Sequence, residues 1–359
     1  MKINKSSSVV VDLSEDLALG DTVLRIGALK IMQGNCREFY VISHRADALR
    51  TAGIRNVITY SDIAELLPSI DFAVRPPSWM AGSKDFWSNI PSNKHKVSFI
   101  DGLLDCRHDY DLEEIRKNPR FFSPDKSIIN RVSRNFVRQL EKFTEFDINP
   151  YDVVQGISQK CDIGARDLDS SSGGLNPPSA DFSLSSENVL AIADSSSNST
   201  KSWPYYEGLV NRLSAAYPNL KYAFIAKDTI FDSKKILSLN HPERVIYSAA
   251  RDDISESWDI LRKCFAFVGN DSGPAHYYSM VHSGKRPMLV LFYAKNDPSR
   301  WMPFSITSDF LYVDSSGKLI DKSHYDYLDW QKDYDSASFS NMREIGIESV
   351  KEKLVALIR

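Results

Sequence analysis

The chain lacks the sequence features that mark several large classes of protein. It has four cysteines, Cys36, Cys106, Cys161 and Cys264. They form no C-x-x-C pair and have no histidine at ligand spacing, which argues against a zinc site and against a disulfide framework. The N-terminal run of three valines is too short for a signal-peptide core or a membrane span. We therefore expect a cytoplasmic protein with no transmembrane segment and with reduced thiols.

Other absences argue against further classes of function. Lysine and arginine number 44 and aspartate and glutamate 47, so the net charge of −3 gives no support to a nucleic-acid partner. The first apolar run is not followed by G-x-G-x-x-G, which argues against a dinucleotide-dependent dehydrogenase or epimerase, and the full Walker spacing is also absent. No internal repeat with a solenoid period is found.

The pattern that is present is an alternation of apolar runs and helix-like segments. At 359 residues the chain suits two domains of roughly 150 residues each. Short runs rich in β-branched and aromatic residues predict parallel strands joined by helices in both halves. The runs are "SVVVDL", "EFYVIS", "NVITY", "DFAVR" and "KVSFI" in the first half, and "NVLAIAD", "KYAFIA", "RVIYS", "FAFVG" and "PMLVLF" in the second.

A stretch rich in Ser, Gly and Pro separates the two halves. We expect residues 1–165 to form one Rossmann-like domain, 166–186 a linker or mobile loop, 187–340 a second Rossmann-like domain and 341–359 a C-terminal helix. The fold class is then α/β, with two parallel sheets facing a central cleft at their strand ends.

The segment "GNDSGPAH" holds five candidate site residues in a turn between an apolar strand and a helix. Gly273 allows close approach to a ligand, Pro274 suits the first helical turn, and the amides of a helix start favour an anion. Asp271, Ser272 and His276 are placed to line the same pocket. The alternative is that Asp271 and Ser272 only cap the helix while His276 packs against the next strand.

A second candidate anion site follows the strand "NVLAIAD". The hydroxyl-rich turn "SSSNSTKSWP" brings Thr200 and Lys201 to the start of a helix predicted over residues 204–217, with Trp203 and Pro204 in its first turn. Hydroxyls, amides and one lysine at a helix start form a cradle for phosphate. The alternative is a polar loop with a solvated lysine.

These segments together resemble glycosyltransferase family 9, the bacterial heptosyltransferase family with the GT-B fold. Its Asp-Ser/Thr-Gly-Pro-x-His is similar to "DSGPAH", its Lys-x-Trp-Pro to Lys201 through Pro204, and its later Trp-x-Pro to "RWMP". Its N-terminal Leu-Gly-Asp is similar to Leu19, Gly20 and Asp21. The motifs occur in the family's order, so the resemblance spans most of the chain.

The resemblance implies an inverting transfer from a nucleoside-diphosphate sugar, with no metal and no other cofactor. It implies that Asp21 is the catalytic base and that the donor is bound by Lys201 and the pocket around Asp271, Ser272, Gly273 and His276; we add Thr200 and Trp203 to this donor set. A base and a cation for the leaving diphosphate are what such chemistry needs. Asp21 could instead only cap its helix. The three Asp-x-Asp triplets, at 109–111, 167–169 and 333–335, follow no convincing strand and are interpreted as surface.

A local excess of positive charge points to an anionic acceptor. Arg131, Arg134 and Arg138 are spaced to share a helix face. The resemblance implies that this acceptor is a lipopolysaccharide core or another surface glycan. The alternative is DNA with a hydroxymethylated base, as phage enzymes use. The other reading of this face is an ordinary solvated helix. A non-catalytic sugar-nucleotide binding protein is a further alternative, which would not need Asp21.

Overall fold

The computed structural model describes two compact units, one containing the described residues up to Ile148 and the other those from Asn188 onward. Within the described ranges, none of the helices combines the length and the apolar character needed to cross a bilayer. The described ranges are 2–13, 19–75, 90–91, 93–98, 137–138, 140–148, 188–194, 201–226, 239–249, 254–282, 285–292, 298–303, 308–314, 317–325 and 342–359.

The first unit contains a parallel five-stranded sheet in the order β3-β2-β1-β4-β5. The residues of β1 are all buried, as expected for a central parallel strand covered on both faces. The strands are β1 Ser8–Leu13, β2 Glu38–Ser43, β3 Val57–Ile58, β4 Phe72–Arg75 and β5 His95–Ser98. The helices between them are α1 Leu19–Asn35, α2 Ala46–Thr51 and α3 Tyr60–Leu66.

The second unit contains a seven-stranded sheet in the order β12-β11-β10-β9-β6-β7-β8. All its strands pair in parallel except β12, which is antiparallel to β11 at the edge. The strands are β6 Val189–Ala193, β7 Lys221–Ala226, β8 Val245–Ala249, β9 Ala266–Asn270, β10 Met288–Phe292, β11 Ser308–Val313 and β12 Leu319–Asp321. Its helices are α4 Tyr206–Ala216, α5 Ile254–Lys263, α6 Gly273–Val281, α7 Pro298–Trp301 and α8 Ile347–Ile358.

The C-terminal helix α8 closes the core of the second unit. Val350 and Leu354 are fully buried, and Ile347 and Ile358 pack against the same cluster, so these four residues form the packed face of the C-terminal helix. Gly208 of α4 allows this close packing, because a Cβ there would lie 2.8 Å from Cδ1 of Ile347.

The sequence pattern located the apolar strands well and the segment boundaries less well. Each of the ten predicted runs overlaps a strand. Helix α4 begins at Tyr206 rather than at Pro204, and α2, α3, α7, β11 and β12 were not predicted. The expected linker 166–186 lies outside the described residues, so the domain boundaries stay predictions.

Candidate active site

The candidate site lies at the point where the strand order of the second sheet reverses. From β6 the chain continues to β7 and β8 on one side, and β9 then pairs with the other side of β6. Open α/β sheets bind ligands at the carboxyl ends of strands at such a point. Here Asp194 follows β6, Asn270 is the last residue of β9, and Asp271 follows it.

Three of the predicted donor residues are brought together at this edge. Nζ of Lys201 lies 3.5 Å from Oδ2 of Asp271, and Nε2 of His276 lies 3.8 Å from Oδ1 of the same carboxylate. The side chains of Asp271 and His276 are 7% and 5% exposed, whereas that of Lys201 is 23% exposed. A buried carboxylate therefore holds a more accessible ammonium group at the edge of the sheet.

Helix α6 starts beside this cluster, with Ser272 in the N-cap position. The Ser272 side chain makes no capping hydrogen bond, and its hydroxyl donates to the carbonyl of Asn270 at 3.1 Å. The side-chain cap that was the alternative reading of Ser272 is therefore not formed. The amides of Ala275 and His276 donate to the carbonyl of Ser272, and Pro274 has no N–H. Fewer helix-start amides are thus available to an anion than the sequence suggested.

Trp203 lies beneath Lys201 as a core residue. Its side chain is 2% exposed, its indole N–H donates to the carbonyl of Ile345 at 2.8 Å, and its ring makes edge contacts with Tyr205 and Tyr206. A buried ring with its only polar atom already paired supports the backbone around Lys201. We therefore correct the predicted contact between Trp203 and a donor to a supporting role.

Asn270 is a polar residue of this region that the sequence reasoning did not single out. It is fully buried, and its side-chain Oδ1 accepts hydrogen bonds from the amide of Trp203 at 3.1 Å and the hydroxyl of Tyr206 at 3.0 Å. Its Nδ2 donates to the carbonyl of Asp194 at 3.1 Å. An amide side chain at the end of an otherwise apolar strand was the available signal, because a buried amide needs partners.

Asp194 is a second buried carboxylate at the same edge, at 2% exposure. Burial, and then the nearby charge of Asp194, raise the pKa of Tyr206 well above its usual value. Tyr206 is therefore a hydrogen-bond donor and not an acid or base in the physiological range.

For most of the remaining predicted site residues, the structure does not describe the side chain. Asp21 lies in the first turn of α1, but its side chain, like Thr200, Arg131 and Arg134, lies outside what the structure describes. Arg138 belongs to a helical segment of the first unit and is half-buried. Among the described residues no group of three or more His, Cys, Asp or Glu side chains could hold a metal ion, and the three Asp-x-Asp triplets lie outside those residues.

The comparison with known families gives the class of protein to which these two α/β units belong, a glycosyltransferase. The sequence matches glycosyltransferase family 9 (heptosyltransferase) over residues 138–324, which is more than half of the chain. The chain belongs to this family, as the motifs around Lys201 and Asp271 predicted. No curated protein sequence gives a significant match.

Solved structures with similar folds agree with this assignment. A family 9 glycosyl transferase from Veillonella parvula is 14% identical with a TM-score of 0.61, covering 100% of this chain and 98% of that one. The ADP-heptose LPS heptosyltransferase II of E. coli is 14% identical with a TM-score of 0.58, covering 98% of both chains. These similarities confirm the GT-B fold class with two Rossmann-like domains.

A third similar structure is the heptosyltransferase TibC of enterotoxigenic E. coli, described as dodecameric, iron-containing and in complex with ADP-D-beta-D-heptose. It is 13% identical with a TM-score of 0.51, covering 99% of this chain and 77% of that one. At this identity the similarity concerns the fold alone.

Proposed function

We propose that this glycosyltransferase is inverting and metal-independent, and that it moves a sugar from a nucleoside-diphosphate sugar to a hydroxyl of an anionic acceptor. The observation that carries the proposal is the cluster of Lys201, Asp271 and His276 beside the start of α6. It joins a cation, a buried carboxylate and an imidazole at the ligand-binding edge of the sheet.

The donor chemistry follows from the charges at this edge. When the bond between sugar and diphosphate breaks, the leaving diphosphate gains negative charge, which a fixed cation stabilises. Lys201 is the accessible member of the cluster, so its ammonium group is the one that would bind phosphate oxygens. Asp271 holds that ammonium group in place, and His276 would donate a hydrogen bond to phosphate or sugar. Ser272, Gly273 and Thr200 complete the proposed donor set.

Lys201 also supports the proposal that no metal is required. In metal-dependent transferases the cation on the diphosphate is a metal ion, whereas here a lysine occupies the edge where the diphosphate would bind. TibC is described as iron-containing, so the point needs a direct test. We propose that the diphosphate binds equally well with and without a chelator.

The acceptor side of the proposal is assigned to the first unit. An inverting transfer needs a base for the attacking hydroxyl, and Asp21 lies in the first turn of α1, where the helix dipole favours a carboxylate. Arg131, Arg134 and Arg138 supply the positive charge for an anionic acceptor. A lipopolysaccharide-core or other surface glycan is the acceptor we favour, in keeping with the LPS enzyme of similar fold.

The proposal is tested by thermal stabilisation of the purified protein with a panel of nucleoside-diphosphate sugars, in the presence of EDTA. Binding at 100 times the Kd would stabilise the protein by about 2.7 kcal/mol. We expect at least one nucleotide family to stabilise the wild type and to stabilise Lys201→Met much less. If no member of the panel stabilises the wild type, or if stabilisation requires a metal, the proposal is contradicted.

A further inference from the structure

Asn270 joins the two segments that carry the charged residues of the site. It directly precedes Asp271 in sequence, and its Oδ1 accepts the amide of Trp203, two residues after Lys201. The same oxygen accepts the Tyr206 hydroxyl, while Nδ2 donates to the carbonyl that follows β6. One fully buried side chain therefore connects the end of β6, the end of β9 and the segment leading into α4.

We propose that Asn270 is a positioning residue for the diphosphate site, acting through Lys201. The inference rests on the proposed function, since it concerns how that site is held in shape. Asn270 fixes the backbone around Lys201 relative to Asp271, and thereby places the Lys201 ammonium group where a diphosphate can use it.

The ion pair between Lys201 and Asp271 does not by itself fix the position of the Lys201 backbone relative to Asp271. Lys201 has a flexible four-carbon stem, and its Nζ can stay near Asp271 from many positions of its own backbone. The hydrogen bond from the Trp203 amide to Asn270 constrains the backbone directly, within two residues of the lysine. On the other side of this segment, the buried Trp203 indole is held by Ile345.

Position 270 requires a side chain that both accepts and donates hydrogen bonds. Aspartate would keep the accepting oxygen, but it would bring a second oxygen against the Asp194 carbonyl and add charge beside two buried carboxylates. Leucine has the same branched shape but offers neither function, and its methyl groups are larger than the amide atoms that they replace. Asn270→Leu therefore removes the connection and also adds some overpacking at a fully buried position.

The test is a double-mutant cycle between Asn270→Leu and Lys201→Met, read by calorimetric titration with ADP, GDP and UDP up to millimolar concentration. Each variant is compared using the diphosphate that binds the wild type best. If Asn270 acts through Lys201, Asn270→Leu weakens diphosphate binding about tenfold in the wild-type background. In the Lys201→Met background it weakens binding less than about twofold. Equal losses in both backgrounds, or unchanged affinity in the wild-type background, overturn the inference.

Two further variants separate positioning from stability. Ser214→Ala removes another buried hydrogen bond of the same unit, to the Tyr222 hydroxyl, and should lower the thermal midpoint without changing diphosphate affinity. Tyr206→Phe removes one donor to Asn270 and keeps the ring, so it tests the connection even if Asn270→Leu does not fold. We expect it to weaken binding about threefold in the wild type only. Unchanged affinity in Tyr206→Phe contradicts the inference.

The outcomes also distinguish this inference from the proposed function. If the wild type binds one of the diphosphates and Lys201→Met binds it measurably more weakly, but the cycle is additive, only the role of Asn270 fails. If the wild type binds none of the three, the diphosphate site itself is wrong and the inference fails with it.

Discussion

At the scale of single residues, the site is a charged pair whose members differ in accessibility. Asp271 is buried, whereas about a quarter of the Lys201 side chain is exposed. Such a pair contributes little net stability, because desolvation offsets much of the attraction, but removing the ammonium group leaves the buried carboxylate less well compensated. Stability and ligand binding can therefore be separated by substitution.

Lys201→Met should destabilise the protein by about 1–3 kcal/mol, because Asp271 then keeps its buried charge without the ammonium group. Adding Asp271→Asn in the Lys201→Met background should restore most of this loss, since it removes the charge. Neither variant should bind a nucleoside diphosphate like the wild type. Urea unfolding and calorimetric titration measure the two effects, and a double variant less stable than Lys201→Met would contradict this reasoning.

The proposed base gives a second prediction at this scale. Asp21→Asn should lower kcat by at least about 100-fold and leave donor affinity within about twofold, since general-base catalysis contributes that much. The matched control is Asp47→Asn, which changes another acidic residue in the first turn of a helix of the same unit. Turnover measured at saturating donor checks the prediction. Wild-type turnover in Asp21→Asn would remove it as the base.

At the scale of elements, the packing around the site depends on α6 and β9. Helix α6 is followed by the C-cap residue His282, whose Nε2 lies 3.0 Å from the carbonyl of Leu261 and whose ring meets Tyr278 edge-on. Burial, and then the charge of Arg286, lower the pKa of His282 from 6.5 to about 3, against the raising effect of the bond to Leu261. The folded state therefore holds His282 neutral.

This burial predicts acid sensitivity. Between pH 6.5 and about 3 the unfolded chain binds a proton at His282 that the folded chain does not, so stability falls as pH falls through this window. The wild type should lose about 1–2 kcal/mol more than His282→Gln between pH 7 and pH 5. Urea unfolding at both pH values measures the difference. His324→Gln, at a largely exposed histidine, is the control, and equal losses in wild type and His282→Gln would count against the prediction.

The close contact between β9 and β6 gives another prediction for the same edge. A Cβ on Gly269 would lie 2.8 Å from Cβ of Ala193 and 2.7 Å from Cζ of Phe267. Gly269→Ala should therefore destabilise the protein by about 1–3 kcal/mol through overpacking. Ala193→Gly in the same chain should recover part of this loss. Thermal unfolding checks both, and an unaltered midpoint in Gly269→Ala would show that the strands can separate without cost.

Sequence reasoning succeeded for these elements where the local pattern determines the structure. The buried parallel strands are nearly continuous apolar runs, so β6, β9 and β10 were recognisable. Trp203 was interpreted as a ligand contact because an aromatic residue near a helix start carries no sign of its own burial. Asn270 was passed over because its partners lie more than 60 residues away and become neighbours only through the fold.

At the scale of the whole molecule, the two halves of the chain differ in how they resemble known proteins. The family match covers residues 138–324, which include Lys201, Asp271 and His276. Most of the first unit precedes this range, and its similarity to known proteins is one of fold. The residues proposed to bind the donor therefore lie within the family match. For the acceptor, the basic residues Arg131, Arg134 and Arg138 favour an anion, and the net charge of −3 gives no support to a nucleic acid.

A salt titration distinguishes the two acceptor classes. Duplex DNA held by six to ten phosphate contacts would lose about 10³–10⁵ in affinity between 50 and 200 mM salt. We expect a phosphorylated glycan to bind with less than about a tenfold loss, because few charges are paired, and to bind more weakly after Arg131, Arg134 and Arg138 are changed to Gln. Arg55→Gln, at an exposed residue of the same unit, is the control. If the protein binds duplex DNA with a steep dependence of affinity on salt and does not bind the glycan, DNA becomes the favoured acceptor.

The most direct test of the central claim is a crystal structure of the protein with the nucleoside diphosphate that stabilises it. We predict that the diphosphate lies at the carboxyl ends of β6 and β9, with a phosphate oxygen within about 3 Å of Lys201 Nζ and the start of α6 beside it. A nucleotide bound elsewhere, or a diphosphate at this edge that makes no contact with Lys201, would contradict the account.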